Sequence, residues 1–405
     1  METHLNRIYW KVYVAMCVWS LFIFTSFSVS ALGHILILIS FLYLAWVDNT
    51  WIPEGFKSKS SKVLTAIVLI GIFSVLANWG EIERPIKNII KLKYYLLAVL
   101  AIPCFELVRQ NFLNEKRVRL LLNLFFISLI VANLSGFYAV IFDFHPLRMK
   151  AACHESRACG MYGMYMTYGY GIQFVAVLLM GMLFQLKNIR KHFNNILFYL
   201  ALITSVIGLF WSLSRGAWLG FLAAIPFFFL KQYKKKFLIA VTSIIVLSFG
   251  SFLFIPKVKN TFFNESRLNS NAVRISQFKT AIYAFKENPI LGKGHRNFEP
   301  QTKDLKQKYN IEFPQFGGHA HNNFFEDLAS KGILGLFALI AFHLFWLIET
   351  YKREDILGYL AFPIVIAFFV SGQFQYTFGD GENLFLLMFI YSLSQLKPME
   401  KKLVN

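Results

Sequence analysis

Apolar positions in this chain come mainly as long runs, each about 17–25 residues, separated by short polar connections. Twelve runs can be drawn, at approximately 9–28, 31–47, 62–79, 93–108, 119–142, 161–184, 194–213, 216–230, 237–255, 332–349, 356–372 and 382–396. At 1.5 Å of rise per residue, runs of this kind cover roughly 30 Å of hydrocarbon. Lipid cannot hydrogen-bond an open backbone, so each run is expected to be a helix. The pattern therefore predicts an all-α, polytopic integral membrane protein with about 12 transmembrane helices and one long loop containing short helices. Three parts follow: a nine-helix membrane region over 1–255, the loop over 256–331, and a three-helix membrane region with a C-terminal tail over 332–405. The first run is preceded by Arg7 and Lys11 and shows no small-residue cleavage site, so it reads as a retained span.

Within the loop the periodicity changes. The stretch from Asn271 to Gly294 reads as an amphipathic helix with Ile275, Phe278, Ile282 and Phe285 on one face. Asn271 is placed to cap its start, and Asn288-Pro289 with Gly292 and Gly294 to end it. A second short helix is expected after Gly317-Gly318, running through Phe324, Phe325 and Leu328 to Gly332.

Composition agrees with a bilayer as solvent: 56% of the 405 residues are hydrophobic and 16% charged, more apolar surface than soluble cores would bury. The formal charge of +19 changes the picture only through its distribution. With the N-terminus in the cytoplasm, 21 Lys/Arg fall in inner segments, eight in short outer segments and 12 in the long loop. That asymmetry predicts both termini cytoplasmic and the loop on the opposite side. Basic residues spread by topology do not form a nucleic-acid-binding stripe.

Four cysteines are too few for a disulfide scaffold. Cys17 and Cys104 lie inside runs, whereas Cys153 and Cys159 bracket a short outer segment where an oxidising compartment would permit a disulfide. A metal site of Cys153, His154 and Cys159 is the alternative, at a spacing that fits no common zinc pattern. Phosphate-cradling glycine loops, paired zinc histidines and nucleophile elbows are absent from the sequence. Ser276 and Lys279 have the serine–lysine spacing of some acyl enzymes, a pattern common by chance.

Candidate chemistry emerges when charge is combined with topology. Arg215 opens a run with almost no loop before it, so its guanidinium is held at the membrane boundary. Arg274 lies in the first turn of the expected amphipathic helix; His319 and His321 precede the next helix, and Asp380 sits in an outer connection. Glu326 and Asp327 read as a solvated face, because adjacent helix positions point apart. Arg215, Arg274, His321 and Asp380 fall on one side under a topology chosen without reference to them. Two permanently charged forks that bind phosphate oxygens in pairs, together with a group able to take a proton near neutrality, suit a lipid-linked pyrophosphate substrate.

Three blocks carry a family resemblance: Ser214-Arg215-Gly216; Arg274 and Phe278 followed by Asn288-Pro289-Ile290-Leu291-Gly292-Lys293-Gly294; and His321-Asn322 followed by Gly332-Ile333-Leu334-Gly335. Together they resemble the O-antigen ligases of Gram-negative bacteria and the related O-antigen polymerases, although Phe278 stands where that group often has tryptophan. The resemblance implies a metal-independent glycosyltransferase of lipopolysaccharide biosynthesis, without cofactor, at the periplasmic face of the bacterial inner membrane. Its donor would be an undecaprenyl-pyrophosphate-linked glycan and its acceptor lipid A–core. Arg215 and Arg274 would bind the pyrophosphate, and His321 would act as base, titrating near pH 6–7 if unperturbed. Asp380, His319 and Asn322 would support them. The alternatives are an O-antigen polymerase using the same donor, or a non-enzymatic transporter or flippase for a lipid-linked sugar.

Overall fold

A computed structural model describes residues 2–230, 233–254 and 265–398. The expected boundary at 255/256, the first residues of the long loop, the tail over 399–405, and Lys231, Lys401 and Lys402 lie outside the described residues.

Each predicted run overlaps a helix. The first membrane region holds α1 (Glu2–Phe22), α2 (Phe27–Val47), α3 (Lys59–Ala77), α4 (Pro85–Lys91), α5 (Lys93–Asn111), α6 (Glu115–Phe142), α7 (Tyr165–Phe184), α8 (Leu186–Ile189), α9 (Asn195–Trp211), α10 (Arg215–Ala224) and α11 (Lys234–Phe254). The loop contributes α12 (Glu265–Glu287) and α13 (Phe298–Lys308); α14 (Asn323–Lys352), α15 (Ile356–Ser371) and α16 (Gly381–Ser394) complete the described chain. A two-stranded antiparallel ladder pairs Phe144–His145 with Lys150–Ala151. Among the described residues six helices are long and apolar enough to cross a membrane, or seven when α8 and α9, bent by 116°, are taken as one span. Shorter apolar helices cover Arg215–Phe228, Ile356–Ser371 and Gly381–Ser394. The protein is thus an all-α polytopic membrane protein.

Polar residues just ahead of the apolar runs start many of these helices. Ser58 Oγ accepts from Ser61 N (3.1 Å), Asn114 Oδ1 from Arg117 N (3.0 Å), Asn194 Oδ1 from Ile196 N (2.9 Å) and Asp355 Oδ1 from Gly358 N (3.0 Å). Each satisfies a backbone donor that the first helical turn leaves unpaired. Large apolar side chains such as Trp46, Phe73, Ile196 and Phe337 are exposed on helix surfaces, as hydrocarbon-facing positions would be. Inside, the Tyr168 hydroxyl donates to Asn133 Oδ1 (2.8 Å), and Asn133 Nδ2 donates to Thr204 Oγ1 (3.2 Å), joining α7, α6 and α9.

The loop departs from expectation in four ways. First, α12 begins by Glu265, so Asn271 is an interior residue and Arg274 lies beyond the first turn; Glu, Arg and Leu at 265–268 are good helix formers and carry the helix through. Second, its buried positions are Ser276, Gln277, Thr280, Ala281 and Ala284, while Ile275 and Ile282 are exposed. Small side chains let α12 approach α13 and α14 closely, which periodicity of large residues does not report. Third, α13 was not anticipated, because its sequence is mostly polar. Fourth, Glu326 and Asp327 are buried: Glu326 Oε2 accepts from Ala320 N (2.8 Å), and Asp327 pairs with Lys331 (2.7 Å). The first turns of α14 are covered by the loop helices, so a face that would be solvated on an isolated helix becomes interior. Ser276 and Lys279 do not pair: Ser276 Oγ donates to Val273 O, and Lys279 meets Glu312.

Candidate functional site

Two of the sequence blocks lock into each other through backbone. Lys293 N donates to Ala329 O (2.9 Å), Gly294 N to Ser330 O (3.0 Å) and Ile333 N to Pro289 O (2.8 Å). Gly332 breaks α14 with φ 65° and ψ −160°, and a Cβ there would meet the backbone of Ile290 and Leu291. Only glycine adopts that conformation cheaply, and only glycine permits the approach. Ser74 Oγ, from α3, donates within 2.8 Å to Leu291 O and Ser330 O, and Asn78 Nδ2 donates to Gly292 O (3.0 Å). This interlock fixes α12, the carrier of Arg274, against α14, whose start positions His321. Phe278 stacks on Phe325 with centroids 4.7 Å apart, strengthening the same contact.

The cation-bearing residues meet beside the interlock. Arg215, Arg274 and His321 line one cavity of about 600 Å³. Arg157 lines it as well, its guanidinium 4.2 Å from the centroid of the Tyr165 ring. The described lining residues include these three arginines and no carboxylate. Gly216 is required next to Arg215 because a Cβ would collide with the Tyr170 hydroxyl and with Phe374. Cys153 and Cys159 are bridged, with Cα atoms 6.4 Å apart, in the loop that carries Arg157. Among the described residues no group of three or more His, Cys, Asp or Glu is arranged as a metal site.

A second cavity, about 310 Å³, shares His321 with the first and adds His319, Glu299, Arg296, Gln375 and Asp380. Asn322 caps α14, its Oδ1 accepting from Phe324 N (2.8 Å) and Phe325 N (3.1 Å). Its Nδ2 donates to Gln373 O (3.2 Å), and Asn323 Oδ1 accepts from Thr377 N (2.9 Å). The two asparagines thereby clasp the 372–377 loop and bring buried Gln375 against both histidines.

Hydrogen bonding at Gln375 orders the pair. His321 Nδ1 must donate to Gln375 Oε1 (2.9 Å), because a carbonyl oxygen only accepts. The lone pair of His321 then resides on Nε2. Gln375 Nε2 donates to His319 Nε2 (3.2 Å), leaving the His319 proton on Nδ1, 3.9 Å from Glu299 Oε1. His321 has φ 50°, a left-handed backbone uncommon outside glycine; Leu213, Arg296 and Phe313, which also line the cavities, share positive φ.

The electrostatics separate the two histidines. Burial, with help from His319 and Arg274, lowers His321 to about 4, so it is neutral at working pH rather than titrating near 6–7. For His319 burial acts in the opposite direction to the net effect: the Glu299 carboxylate, with Glu326 and Asp380 nearby, raises it above its ordinary value. Asp380 is raised to about 6 by burial, against the favourable charge of His319; Glu382 adds to the rise, and a hydrogen bond from Thr167 opposes it.

The structure therefore brings Arg215, Arg274 and His321 into one cavity and places His319 and Asp380 in the adjoining one, while Asn322 is a helix cap that holds its neighbours. Sequence reasoning missed Arg157, Glu299, Arg296 and Gln375. None belongs to a motif block by residue type, and each reaches the site from an element whose position the sequence pattern does not specify.

A curated protein of Haemophilus influenzae, described as an uncharacterized protein, is 25% identical over 214 residues, which is 46% of this chain and 54% of that protein. The chain spans about half the length of that relative. Residues 200–340 match the family model described as O-Antigen ligase, a segment that contains Arg215, Arg274, the interlock and His321. Over that segment the chain is similar to the O-antigen ligase family.

Proposed function

We propose that the protein is an O-antigen ligase that transfers a glycan from undecaprenyl pyrophosphate to a sugar hydroxyl of lipid A–core at the periplasmic face of the inner membrane. The observation that carries this reading is the shared cavity: two arginines and an oriented histidine open onto one space at the end of the helical bundle. In the reaction, the acceptor oxygen attacks the anomeric carbon of the donor sugar. As that bond forms, the bond from the anomeric carbon to the pyrophosphate oxygen breaks and its electron pair leaves with pyrophosphate. The acceptor proton passes to His321 Nε2, which the Gln375 contact leaves unprotonated.

Arg215 and Arg274 supply fixed positive charge where negative charge develops, and their planar donors match phosphate oxygens in pairs. This assigns to guanidinium groups the charge stabilisation that other transferases take from a divalent metal, and makes the reaction metal-independent. Activity that vanishes in chelator and returns with magnesium would overturn that assignment.

Deletion of the gene distinguishes this reading from its rivals. Loss of a ligase leaves long glycan chains on the carrier and a bare lipid A–core; loss of a polymerase leaves single repeat units attached to the core; loss of a flippase strands single units on the cytoplasmic leaflet. The first pattern is expected, reversed by wild type and not by His321→Ala. Reporter fusions within residues 295–315 are expected to read periplasmic, and a cytoplasmic reading would place the cavity in the wrong compartment.

A further inference from the structure

A third concavity of about 390 Å³ lies on the far side of Arg296 from the histidines. Arg84, Lys87, Lys91 and Arg296 line it, with the amides of Asn88 and Asn297. Glu83 is the lone carboxylate among its described lining residues, and it is already engaged by Arg84, whose Nε donates to Glu83 Oε1 at 3.2 Å. Glu382, on α16, interacts electrostatically with Lys91 but does not line the groove. Positive charge is therefore in excess where the walls converge.

The groove is built, not merely a scatter of interfacial lysines. Arg296 sits in the left-handed backbone region at φ 61°, and its Nη1 donates to Gly379 O at 2.6 Å. That bond fixes the guanidinium between two spaces, since Arg296 lines both the groove and the cavity that holds His319, His321 and Asp380. Asn297 Nδ2 donates to Lys293 O (2.9 Å), tying this wall to the interlock. The opposite wall is fastened by Ile82, whose side chain packs where a Cβ on Gly294 would stand. The three spaces thus follow one another: arginine cavity, histidine cavity, basic groove.

We propose that the basic groove binds phosphate groups carried on the saccharide acceptor, anchoring it so that its hydroxyl reaches His321. The assignment rests on the glycosyl-transfer reading above. Donor pyrophosphate is accounted for by the arginine cavity, and the histidine is shared between that cavity and the next, so the acceptor must approach from the remaining side. Lysines acting as point charges beside one anchored arginine suit compact phosphates rather than an apolar or neutral sugar.

The test uses the full-length protein in nanodiscs of zwitterionic phosphatidylcholine, with a phosphorylated acceptor glycolipid and the same glycolipid after phosphatase treatment. Binding is measured without donor, and acceptor KM with donor. Wild type is expected to bind the phosphorylated form at least about tenfold more tightly, a difference of about 1.4 kcal/mol. That preference should collapse in Lys87→Gln/Lys91→Gln and survive in Lys87→Arg/Lys91→Arg. Equal affinity of wild type for both forms, or equal weakening of both in the glutamine variant, would overturn the proposal. So would a lysine effect that appears only in discs of anionic phospholipid, which would assign the groove to bilayer headgroups. Because binding needs no turnover, phosphate-selective binding without transfer would sink the proposed reaction and leave the groove standing. Transfer with no phosphate preference would do the reverse.

Discussion

The interlock and the arginine cavity lie side by side, are both built from the sequence blocks that carry the resemblance, and work by opposite physics. In the interlock, Gly292 and Gly332 allow main chain to touch main chain, and hydrogen bonds from Lys293, Gly294 and Ile333 close the contact. In the cavity, Arg157, Arg215, Arg274 and His321 surround open space and carry charge without a carboxylate lining it. One region has no room to spare, and the other consists of room with charge around it. Glycine in a motif therefore reports a distance between backbones, whereas arginine and histidine set the charge and hydrogen-bonding groups along a cavity wall. Damage to the first should appear as lost protein, and damage to the second as lost rate in intact protein.

The sharpest test of that division is His321→Ala, which should lower turnover by about 10²- to 10⁴-fold while leaving the detergent-solubilised melting temperature unchanged. His319→Ala should be markedly milder, since His319 acts through Gln375. Comparable tolerance of both substitutions in a purified transfer assay would remove His321 from the role of base.

Next come the cations. Arg215→Ala and Arg274→Ala should each cost about 2–4 kcal/mol in the transition state, about 30- to 1000-fold in rate. Lysine at either position should restore little, because it lacks the paired donors. A variant running near the wild-type rate would remove its arginine from the proposed phosphate site.

Gly332→Ala should reverse the signature. A side chain at φ 65° costs about 1–3 kcal/mol, and its Cβ would also press on the Ile290 backbone. The expected outcome is a lower melting temperature and less inserted protein, with the surviving molecules retaining most of their activity. A fully stable but inactive variant would show that the interlock does more than hold elements together.

The smallest predicted effect is a shift along the pH axis. Neutral His319 accepts from Gln375 Nε2 and so leaves His321 its Nε2 lone pair; a protonated His319 donates instead and turns the amide, which places the proton of His321 on Nε2. The groups facing this pair are Glu299, Glu326, Asp380, Arg274 and Arg296. Their balance holds His319 above its usual value, so activity should fall as pH drops through that raised pKa. In His319→Asn the acid limb of kcat/KM should move down toward about 4, where His321 itself titrates. An unmoved limb would uncouple the two rings.

Much of this molecule could be read along the chain. The bilayer demands a helix wherever an apolar run is long enough, so twelve runs became helices with Ser, Asn or Asp at several starts. The break at Gly332 was legible for a local reason, whereas the helix expected after Gly317-Gly318 opens only at Asn323. Arg215, Arg274 and His321 could be singled out as candidates because one topology puts them on the same side and each falls in a sequence block. Contacts between distant segments followed no local rule. The large residues Ile275 and Ile282 marked the wrong face of α12, because its packing is set by the small side chains that let neighbouring helices approach. Glu326 and Asp327 looked solvated because the helices that cover them are separate in sequence. Gln375, some fifty residues beyond His321, became its orienting partner only when Asn322 and Asn323 clasped the loop between α15 and α16. Sequence by itself determined which segments are apolar and helical and which residues carry charge, since hydrophobicity and ionisation belong to each residue alone. Tertiary structure decided which of them share a cavity and which way a histidine's lone pair faces, since those depend on contacts between residues far apart in the chain.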